Sequence, residues 1–206
     1  MATRLKRILD ITGSLIALLL LLPLLALIAV AVRVTSRGPV IFRQQRLGLA
    51  GIPFSIFKFR TMQHRAKDIR NADGSAYSAD DDPRVTALGK WLRRTSLDEL
   101  PQFWNVLRGD MSLVGPRPDQ MDQLRYYTPE DRAKLRMRPG ITGLAQISGR
   151  NRISWEVRRQ LDSEYVNRWS LGRDIMILFK TVPYVLLRRD INTRGNNASN
   201  NSTAAA

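Results

Sequence analysis

The sequence of 206 residues contains no cysteine and a single histidine, His64. Without cysteine the chain can form neither disulfide bonds nor thiolate metal sites, and it has no thiol nucleophile. One histidine excludes multi-histidine zinc centres, and its position beside Arg65 and Lys67 is typical of a solvated side chain. Any acid–base or nucleophilic chemistry must therefore come from carboxylates, hydroxyls or lysine.

Acidic residues are scarce relative to basic ones. Lysine and arginine number 33 against 18 aspartates and glutamates, which gives a net charge of +15. A domain with this excess repels itself unless an anionic partner is close, and nucleic acid, acidic lipid headgroups or a phosphorylated substrate could supply the charge. The length accommodates one sizeable domain and a membrane element, but not two full domains.

Near its start the chain lacks charge altogether over 22 residues, from Ile11 to Val32. A helix of this length can cross a hydrocarbon core about 30 Å thick, and no small-residue cleavage site precedes Arg33. Pro23 interrupts the run. Because positive flanks favour the cytoplasmic face, a re-entrant helix bent at Pro23 would keep both basic flanks on one side. A single-pass anchor with a proline kink is the alternative.

The rest of the chain shows short strand patterns first and helical patterns afterwards. Apolar runs at 40–42 and 54–60, on either side of a glycine-containing turn, predict a β-hairpin. A polar loop follows at 63–83. Helical spacing then recurs at 87–92, 100–107, 119–135, 154–169 and 174–187. The last of these segments is apolar on more than one face, so it packs either on the core or on the bilayer interface.

These elements predict an α+β, mainly helical fold class. We expect a kinked re-entrant membrane helix with basic flanks at 1–37, then a small β-hairpin within a compact cytoplasmic helical domain at 38–190, which would be the catalytic domain of an enzyme. The low-complexity segment 191–206 is predicted to be a disordered tail.

The segment Ser96–Gln102 places two carboxylates, Asp98 and Glu99, next to each other at a predicted helix start. Ser96 and Glu99 have the capping-box spacing, so a purely structural role accounts for them. Pro101 complicates that interpretation, because five residues past the cap it would delete a helical hydrogen bond. A carboxylate at a helix N-terminus also stays ionised, which suits a nucleophile or a metal ligand. Both interpretations remain open from the local sequence.

Several basic residues lie beside proline or glycine, or at the end of a predicted strand where side chains project alternately to the two faces. Arg117 stands between two prolines, where it could bind phosphate with little loss of entropy. A single arginine of this kind is usually solvated surface, but a set of them favours a phosphate-binding surface. The candidates are Lys58, Arg60, Arg117, Arg138 and Arg150.

Taken in order, these segments resemble the monotopic phosphoglycosyl transferases, bacterial sugar transferases that initiate glycan assembly on polyprenol phosphate. The resemblance covers residues 4 to 190 and corresponds to the minimal form of the family. One departure is Leu22 before Pro23, where the family often has serine. The matching segments are the apolar run with Pro23, 57–62, 82–86, 96–101, 105–112, 115–118, 138–146 and 154–156.

The resemblance implies transfer of a sugar 1-phosphate from a nucleotide diphosphate sugar, typically of UDP, to polyprenol (undecaprenyl) phosphate, with release of nucleoside monophosphate. Asp98 would be the nucleophile that forms an aspartyl-phosphosugar intermediate, and Glu99 would hold Mg²⁺. The five basic candidates would contact phosphate or nucleotide. Asp162 matches an acidic substrate-site position.

The resemblance also implies a location and partners. It places the protein as a monotopic enzyme on the cytoplasmic face of the bacterial inner membrane, among anionic lipids, at the first membrane step of exopolysaccharide, O-antigen or glycoprotein assembly. A homo-oligomer and docking of later glycan-assembly enzymes are left open. Nucleic-acid binding is not expected, because no recognition helix or RNA-binding motif accompanies the charge. A catalytically inactive scaffold would show altered carboxylates, yet Asp98 and Glu99 are both present.

Overall fold

The computed structural model describes residues 2–69, 77, 82–149 and 153–186. Its helices are α1 (Ala2–Thr35), α2 (Ala87–Thr95), α3 (Gln102–Arg108), α4 (Leu144–Ile147), α5 (Trp155–Asn167) and α6 (Leu171–Leu186). Its strands are β1 (Ile41–Leu47), β2 (Pro53–Phe59), β3 (Ser112–Val114) and β4 (Gly140–Thr142). Short 3-10 turns occupy Leu49–Gly51, Leu97–Glu99, Met121–Tyr126 and Asp131–Arg136. The prediction of a mainly helical protein with a small sheet and one long apolar N-terminal helix is confirmed.

The predicted hairpin is formed by β1 and β2, which pair antiparallel from Ile41 opposite Phe59 to Leu47 opposite Pro53. The connecting turn needs left-handed backbone at Ala50 and Gly51, with φ of 56° and 76°. Glycine adopts that conformation without steric cost, which explains the glycine-containing turn signal. On β2 the buried side chains include Phe54 and Ile56, which pack against α3 and the residues after it.

The helix predicted over 119–135 is wrong, because two 3-10 turns occupy this segment. Pro129 disfavours helical backbone at Thr128, the residue before it. Thr128 and Asp131 then satisfy each other locally, since Thr128 N–H donates to the Asp131 carboxylate at 3.0 Å and Asp131 N–H donates to the Thr128 hydroxyl at 3.2 Å. The sequence also gave no signal for the parallel pair β3–β4, whose three-residue strands are too short to show a period of two.

Helix α1 runs for 34 residues and continues through Pro23. It is long and apolar enough to cross a membrane, and it is the one such helix among the described residues. Its two ends contact the rest of the protein, through Lys6, Asp10 and Ser14 at one end and Ile28 and Val32 at the other. The stretch between them exposes its leucines, with Leu19, Leu20, Leu22 and Leu27 all at least 60% accessible.

Two apolar clusters hold the segments that matter for the candidate site. Phe59 and Leu92 pack with Ile28 and Val32 of α1, which fixes the end of β2 against that helix. Helix α6 is apolar on two sides, as its sequence suggested: Ile177 is buried in a second cluster, whereas Phe179 is 76% exposed. Burial of apolar side chains in these clusters stabilises the arrangement of strand, turn and helix around Asp98.

Candidate active site

The carboxylates Asp98 and Glu99 lie on a separate turn between α2 and α3. Ser96 ends α2 in left-handed backbone, with φ of 58°, and its N–H donates to carbonyls of the last α2 turn. Pro101 occupies the N-cap position of α3, and the Ser96 side chain caps no helix. The capping-box interpretation of Ser96 and Glu99 is therefore wrong, and the two carboxylates belong to the Leu97–Glu99 turn rather than to a helix start.

Through Glu99, this turn forms part of the wall of a small open cleft. The Lys58 ammonium on β2 lies 2.7 Å from the Glu99 carboxylate, so the strand and the turn are joined by an ion pair. Asp98, the neighbouring carboxylate, is only 8% exposed. The cleft is lined by Arg46, Ile56, Lys58, Glu99, Gln102, Arg117, Pro118, Gly140 and Ile141.

Two of the lining side chains have hydrogen-bonding groups left over. The Arg117 guanidinium has no hydrogen-bond or ion-pair partner within the described part of the chain. Gln102 is buried, and its Nε2 finds no acceptor among the same residues. A buried donor without an acceptor costs free energy, so both groups are poised to bind an anionic or oxygen-rich ligand in the cleft.

A further cation, Arg93, interacts with Asp98 from outside the cleft lining. Arg93, in the last turn of α2, donates from Nε to the Thr61 hydroxyl at 2.9 Å. Burial lowers the pKa of the Arg93 guanidinium, while the negative charges of Asp98 and Asp82 oppose that effect. The charges of Arg93 and Asp98 therefore attract each other, although Arg93 does not line the cleft.

The residues of the cleft suit a diphosphate ligand and a divalent cation. Arg46, Lys58 and Arg117 supply positive charge, and Arg117 has a planar fork that matches phosphate oxygens. Within the described residues no group of three or more acidic or histidine side chains converges on one point. Mg²⁺ does not need such a cage, because it is commonly held by one or two carboxylates together with substrate phosphates. Glu99 fits that mode.

Comparison with known proteins agrees with this geometry. Residues 1–188 match the family model of the bacterial sugar transferases. The chain belongs to this family.

Curated relatives in the bacterial sugar transferase family share more than two-fifths of their aligned residues with it. The UDP-glucose:undecaprenyl-phosphate glucose-1-phosphate transferase of Caulobacter vibrioides is 46% identical over 189 residues, covering 88% of this chain and 69% of the relative. The exopolysaccharide production protein ExoY of Rhizobium meliloti is 43% identical over 195 residues, covering 89% and 86%. The undecaprenyl-phosphate galactose phosphotransferase of Salmonella typhimurium is 45% identical over 198 residues, covering 90% and 41%. The chain thus spans most of ExoY and about two-fifths of the Salmonella protein.

The structure places Asp162 beneath Arg117 rather than in the cleft. Asp162 has no accessible surface, and it accepts the Arg117 N–H at 3.2 Å and the Lys134 ammonium at 2.9 Å. Lys134 also binds the Asp119 carboxylate at 2.8 Å, and the Tyr127 hydroxyl donates to the same carboxylate at 2.6 Å. This buried cluster fixes the backbone that carries Arg117. The family resemblance suggests that Asp162 contacts the substrate. A direct contact would require a conformational change that exposes its carboxylate.

Two of the other predicted phosphate ligands, Arg138 and Arg60, lie apart from the cleft. Arg138 is directed to the carboxyl end of α3, where its Nε donates to the Gly109 carbonyl at 2.8 Å. Arg60 is buried at the end of α1 and donates to carbonyl groups there. Arg150 lies outside the described residues. Of the predicted site residues, the structure therefore brings together Lys58, Glu99 and Arg117, and Asp98 is the neighbour of Glu99. The roles of these residues toward a substrate remain predictions.

Sequence reasoning missed three residues at or near the site, Arg46, Arg93 and Gln102, and it missed Lys134 in the buried cluster beneath Arg117. Gln102 follows Pro101 directly within the acidic segment, so its position was a usable signal. Lys134 offered none, since it lies 15 residues from Asp119 and 28 from Asp162. A pairing at such separation is visible only once the chain is folded.

Proposed function

We propose that this protein transfers a sugar 1-phosphate from a nucleotide diphosphate sugar, with UDP as the nucleotide, to undecaprenyl phosphate in polysaccharide assembly. The observation that carries the proposal is the Asp98–Glu99 turn, which contributes Glu99 to a cleft lined also by Lys58 and Arg117, whose guanidinium has no partner among the described residues. The name of the Caulobacter relative states this reaction with UDP-glucose, and the name of the Salmonella relative states phosphotransfer of galactose with undecaprenyl phosphate, which supports the same substrate classes here.

The proposed reaction has two displacement steps. The Asp98 carboxylate attacks the phosphorus that bears the sugar, the bond from this phosphorus to the bridging oxygen breaks, and nucleoside monophosphate leaves. The sugar phosphate is then held on Asp98 as an acyl phosphate. An oxygen of the polyprenol phosphate attacks the same phosphorus, and the bond to Asp98 breaks. The products are the polyprenol diphosphate sugar and the regenerated carboxylate.

The cleft residues have distinct roles in this scheme. Lys58 and Arg117 would offset the charge that the equatorial and leaving oxygens carry in each displacement. Glu99 would hold Mg²⁺, which when bound supplies further positive charge to the phosphate oxygens. Because Glu99 already pairs with Lys58, the ammonium can shift from carboxylate to substrate phosphate as the donor binds. The buried setting of Asp98 keeps water from competing as a nucleophile.

The membrane helix supports a monotopic arrangement on the cytoplasmic face of the inner membrane. Asp10 accepts from Ser112 and from the Leu113 N–H at one end of α1, while Ile28 packs on the same domain at the other end. A straight helix between these contacts would be about 27 Å long, close to the thickness of the hydrocarbon core. A crossing helix would place the two contacts on opposite faces, whereas a re-entrant helix bent at Pro23 keeps both with one domain.

The reaction is tested by nucleoside monophosphate release from a panel of nucleotide sugars, with undecaprenyl phosphate and Mg²⁺. We expect release with at least one UDP-sugar, and a stoichiometric burst when the lipid is omitted. Mass spectrometry of the peptide containing Asp98 should then show the added sugar phosphate. Full activity of the Asp98→Asn variant would exclude the nucleophile assignment, and release from no sugar nucleotide would contradict the whole proposal.

The topology is tested separately, and the absence of native cysteine makes labelling straightforward. Thr3→Cys and Gln45→Cys lie at exposed positions before and after the apolar segment. In sealed inside-out membrane vesicles we expect an impermeant maleimide to label both variants equally. Labelling of one and protection of the other would mean that α1 crosses the bilayer.

A further inference from the structure

Arg60 makes an unusual set of contacts at the carboxyl end of the membrane helix. Its Nη2 donates to the carbonyls of Val32 at 3.3 Å and Ser36 at 2.7 Å, and to the Ser36 hydroxyl at 2.8 Å. Its Nη1 donates to the Pro39 carbonyl. The residue is only 5% exposed. One guanidinium therefore donates hydrogen bonds both to the last turns of α1 and to the segment that follows the helix.

The chemistry of this contact is that of a helix cap. The last carbonyls of an α-helix have no partner within the helix, and the negative end of the helix dipole attracts a cation. A planar guanidinium with five N–H groups can reach several such carbonyls at once, which an ammonium cannot. Burial lowers the pKa of the Arg60 guanidinium, and the nearby charge of Arg33 adds to that effect. Arg60 stays charged, and its donors are directed into the protein rather than toward the cleft.

The same stretch of chain carries the contacts of the active site. Lys58, two residues before Arg60, pairs with Glu99, and Phe59 packs on Val32 of α1. Thr61, one residue after Arg60, accepts from Arg93, the cation beside Asp98. Four consecutive residues, 58–61, thus link the end of the membrane helix to both carboxylates of the turn.

We propose that Arg60 is a positioning residue that ties the end of α1 to the strand bearing Lys58, and so sets the height of the cleft relative to the lipid phosphate. This inference rests on the proposed function, and it gives Arg60 a role other than the phosphate contact that its sequence position suggests. The nucleotide sugar arrives from water and needs only an intact cleft. The polyprenol phosphate is confined to headgroup depth, so its attack requires the cleft to lie at that depth.

The two steps should therefore respond differently to loss of the tie. Arg60→Met removes all four contacts, and Arg60→Lys keeps the charge but cannot span the same carbonyls. In bilayer nanodiscs we expect both variants to lower kcat/KM for undecaprenyl phosphate by about 10- to 100-fold, while the burst of nucleoside monophosphate without lipid stays within about twofold. Ser36→Ala removes one of the four contacts and should give a smaller loss of the same kind.

The matched control is Arg132→Met, which removes an equal charge from an exposed side chain outside the cleft. We expect it to leave both steps unchanged. Thermal denaturation shows whether each variant is folded. If Arg60→Met is not, Gly38→Ala disturbs the same junction, because a Cβ on Gly38 would lie 2.7 Å from the Arg60 Nη1.

The outcomes separate the inference from the function on which it rests. Equal losses in burst and lipid transfer would mean that Arg60 contacts the donor, and unchanged lipid transfer would mean that the tie does not matter. Either result overturns the inference and leaves the proposed function standing. A wild-type protein without a burst would contradict the proposed two-step reaction, and the inference would be rejected with it.

Discussion

The protein contains two pairs of carboxylates in contrasting surroundings. Asp98 and Glu99 are adjacent in sequence and stand at a cleft, where the side chain of Glu99 keeps 16% of its surface exposed and pairs with Lys58. Asp119 and Asp162 are far apart in sequence and meet inside the protein around Lys134, with side-chain exposures of 6% and 0%. Glu99 lines the cleft, where a ligand can reach it, and the buried Asp98 lies next to it in sequence, whereas Asp119 and Asp162 bind other protein groups.

The difference shows that the role of a charged cluster depends on its burial and on the charged groups that already bind it. In the buried cluster, burial opposes ionisation of Asp119, but Lys134 and Tyr127 outweigh it and lower the pKa of that carboxyl. Burial raises the pKa of Asp162 against the opposing charge of Lys134. Every charge in this cluster is already matched by a fixed partner, so the cluster holds the loop that carries Arg117. Glu99, in contrast, lines the cleft beside Lys58 and Arg117, and it is at this pair of carboxylates that chemistry is expected.

The largest effect should come from Asp98→Asn. Because an amide cannot form the acyl phosphate, we expect turnover to fall by about 10⁴-fold or more while the free energy of unfolding changes by less than about 1 kcal/mol. Turnover assays and denaturant unfolding in the same detergent measure the two quantities. Asp162→Asn is the matched exchange in the buried pair, and it should lower stability instead. The comparison fails if Asp98→Asn unfolds the protein as readily as Asp162→Asn.

The next effect is on stability and comes from Lys134→Met. Removing this ammonium leaves two carboxylates buried without their cation, which should cost about 3–5 kcal/mol. Lys58→Met is the control, since it breaks a partly exposed ion pair worth about 1 kcal/mol or less. Denaturant unfolding of both variants gives the difference. Equal losses of stability would mean that burial does not distinguish the two clusters.

The sequence patterns pointed to Asp98 and Glu99 as candidate site residues, but they did not predict the buried cluster of Asp119, Asp162 and Lys134. The uncharged run and the hairpin are local patterns, and they predicted the long apolar helix and the β1–β2 pair correctly, whereas the adjacent Asp98 and Glu99 remain a predicted site. The conformation of the turn was not predicted, because left-handed backbone at Ser96 is unusual for a residue other than glycine.

Long-range pairing was the second limit. Lys6, Asp10 and Ser14 recur every fourth residue on α1 and are all buried, so that spacing was a usable signal of a buried polar face. The binding partners of that face could not be predicted from the sequence, because they are distant along the chain: Lys6 binds Asp174, which is 168 residues away. Arg60 shows the same limit: its position at the end of a strand suggested a ligand contact, but its acceptors belong to another element.

A third prediction concerns Glu99 and the divalent cation. Glu99→Gln keeps the shape of the side chain but loses the negative charge, so we expect activity to fall by about 100-fold and half-saturation to require about tenfold more Mg²⁺. A titration of activity against Mg²⁺ measures both. Glu164→Gln, at a largely solvated ion pair, is the control and should not move the titration. An unchanged Mg²⁺ requirement in Glu99→Gln would remove Glu99 from the metal site.

The smallest effect should come from Tyr127→Phe, which tests the buried cluster without changing its charge. The Tyr127 hydroxyl donates to the Asp119 carboxylate at 2.6 Å, and this carboxylate also accepts from Lys134. Because one donor to a charged group is lost while the ion pair remains, the free energy of unfolding should fall by about 1–3 kcal/mol, at or below the cost of Lys134→Met. Turnover per folded molecule should stay within about twofold, since Lys134 continues to hold Asp162 under Arg117. A large loss of turnover with little loss of stability would mean that this cluster acts in the chemistry, and the division between the two carboxylate pairs would have to be abandoned.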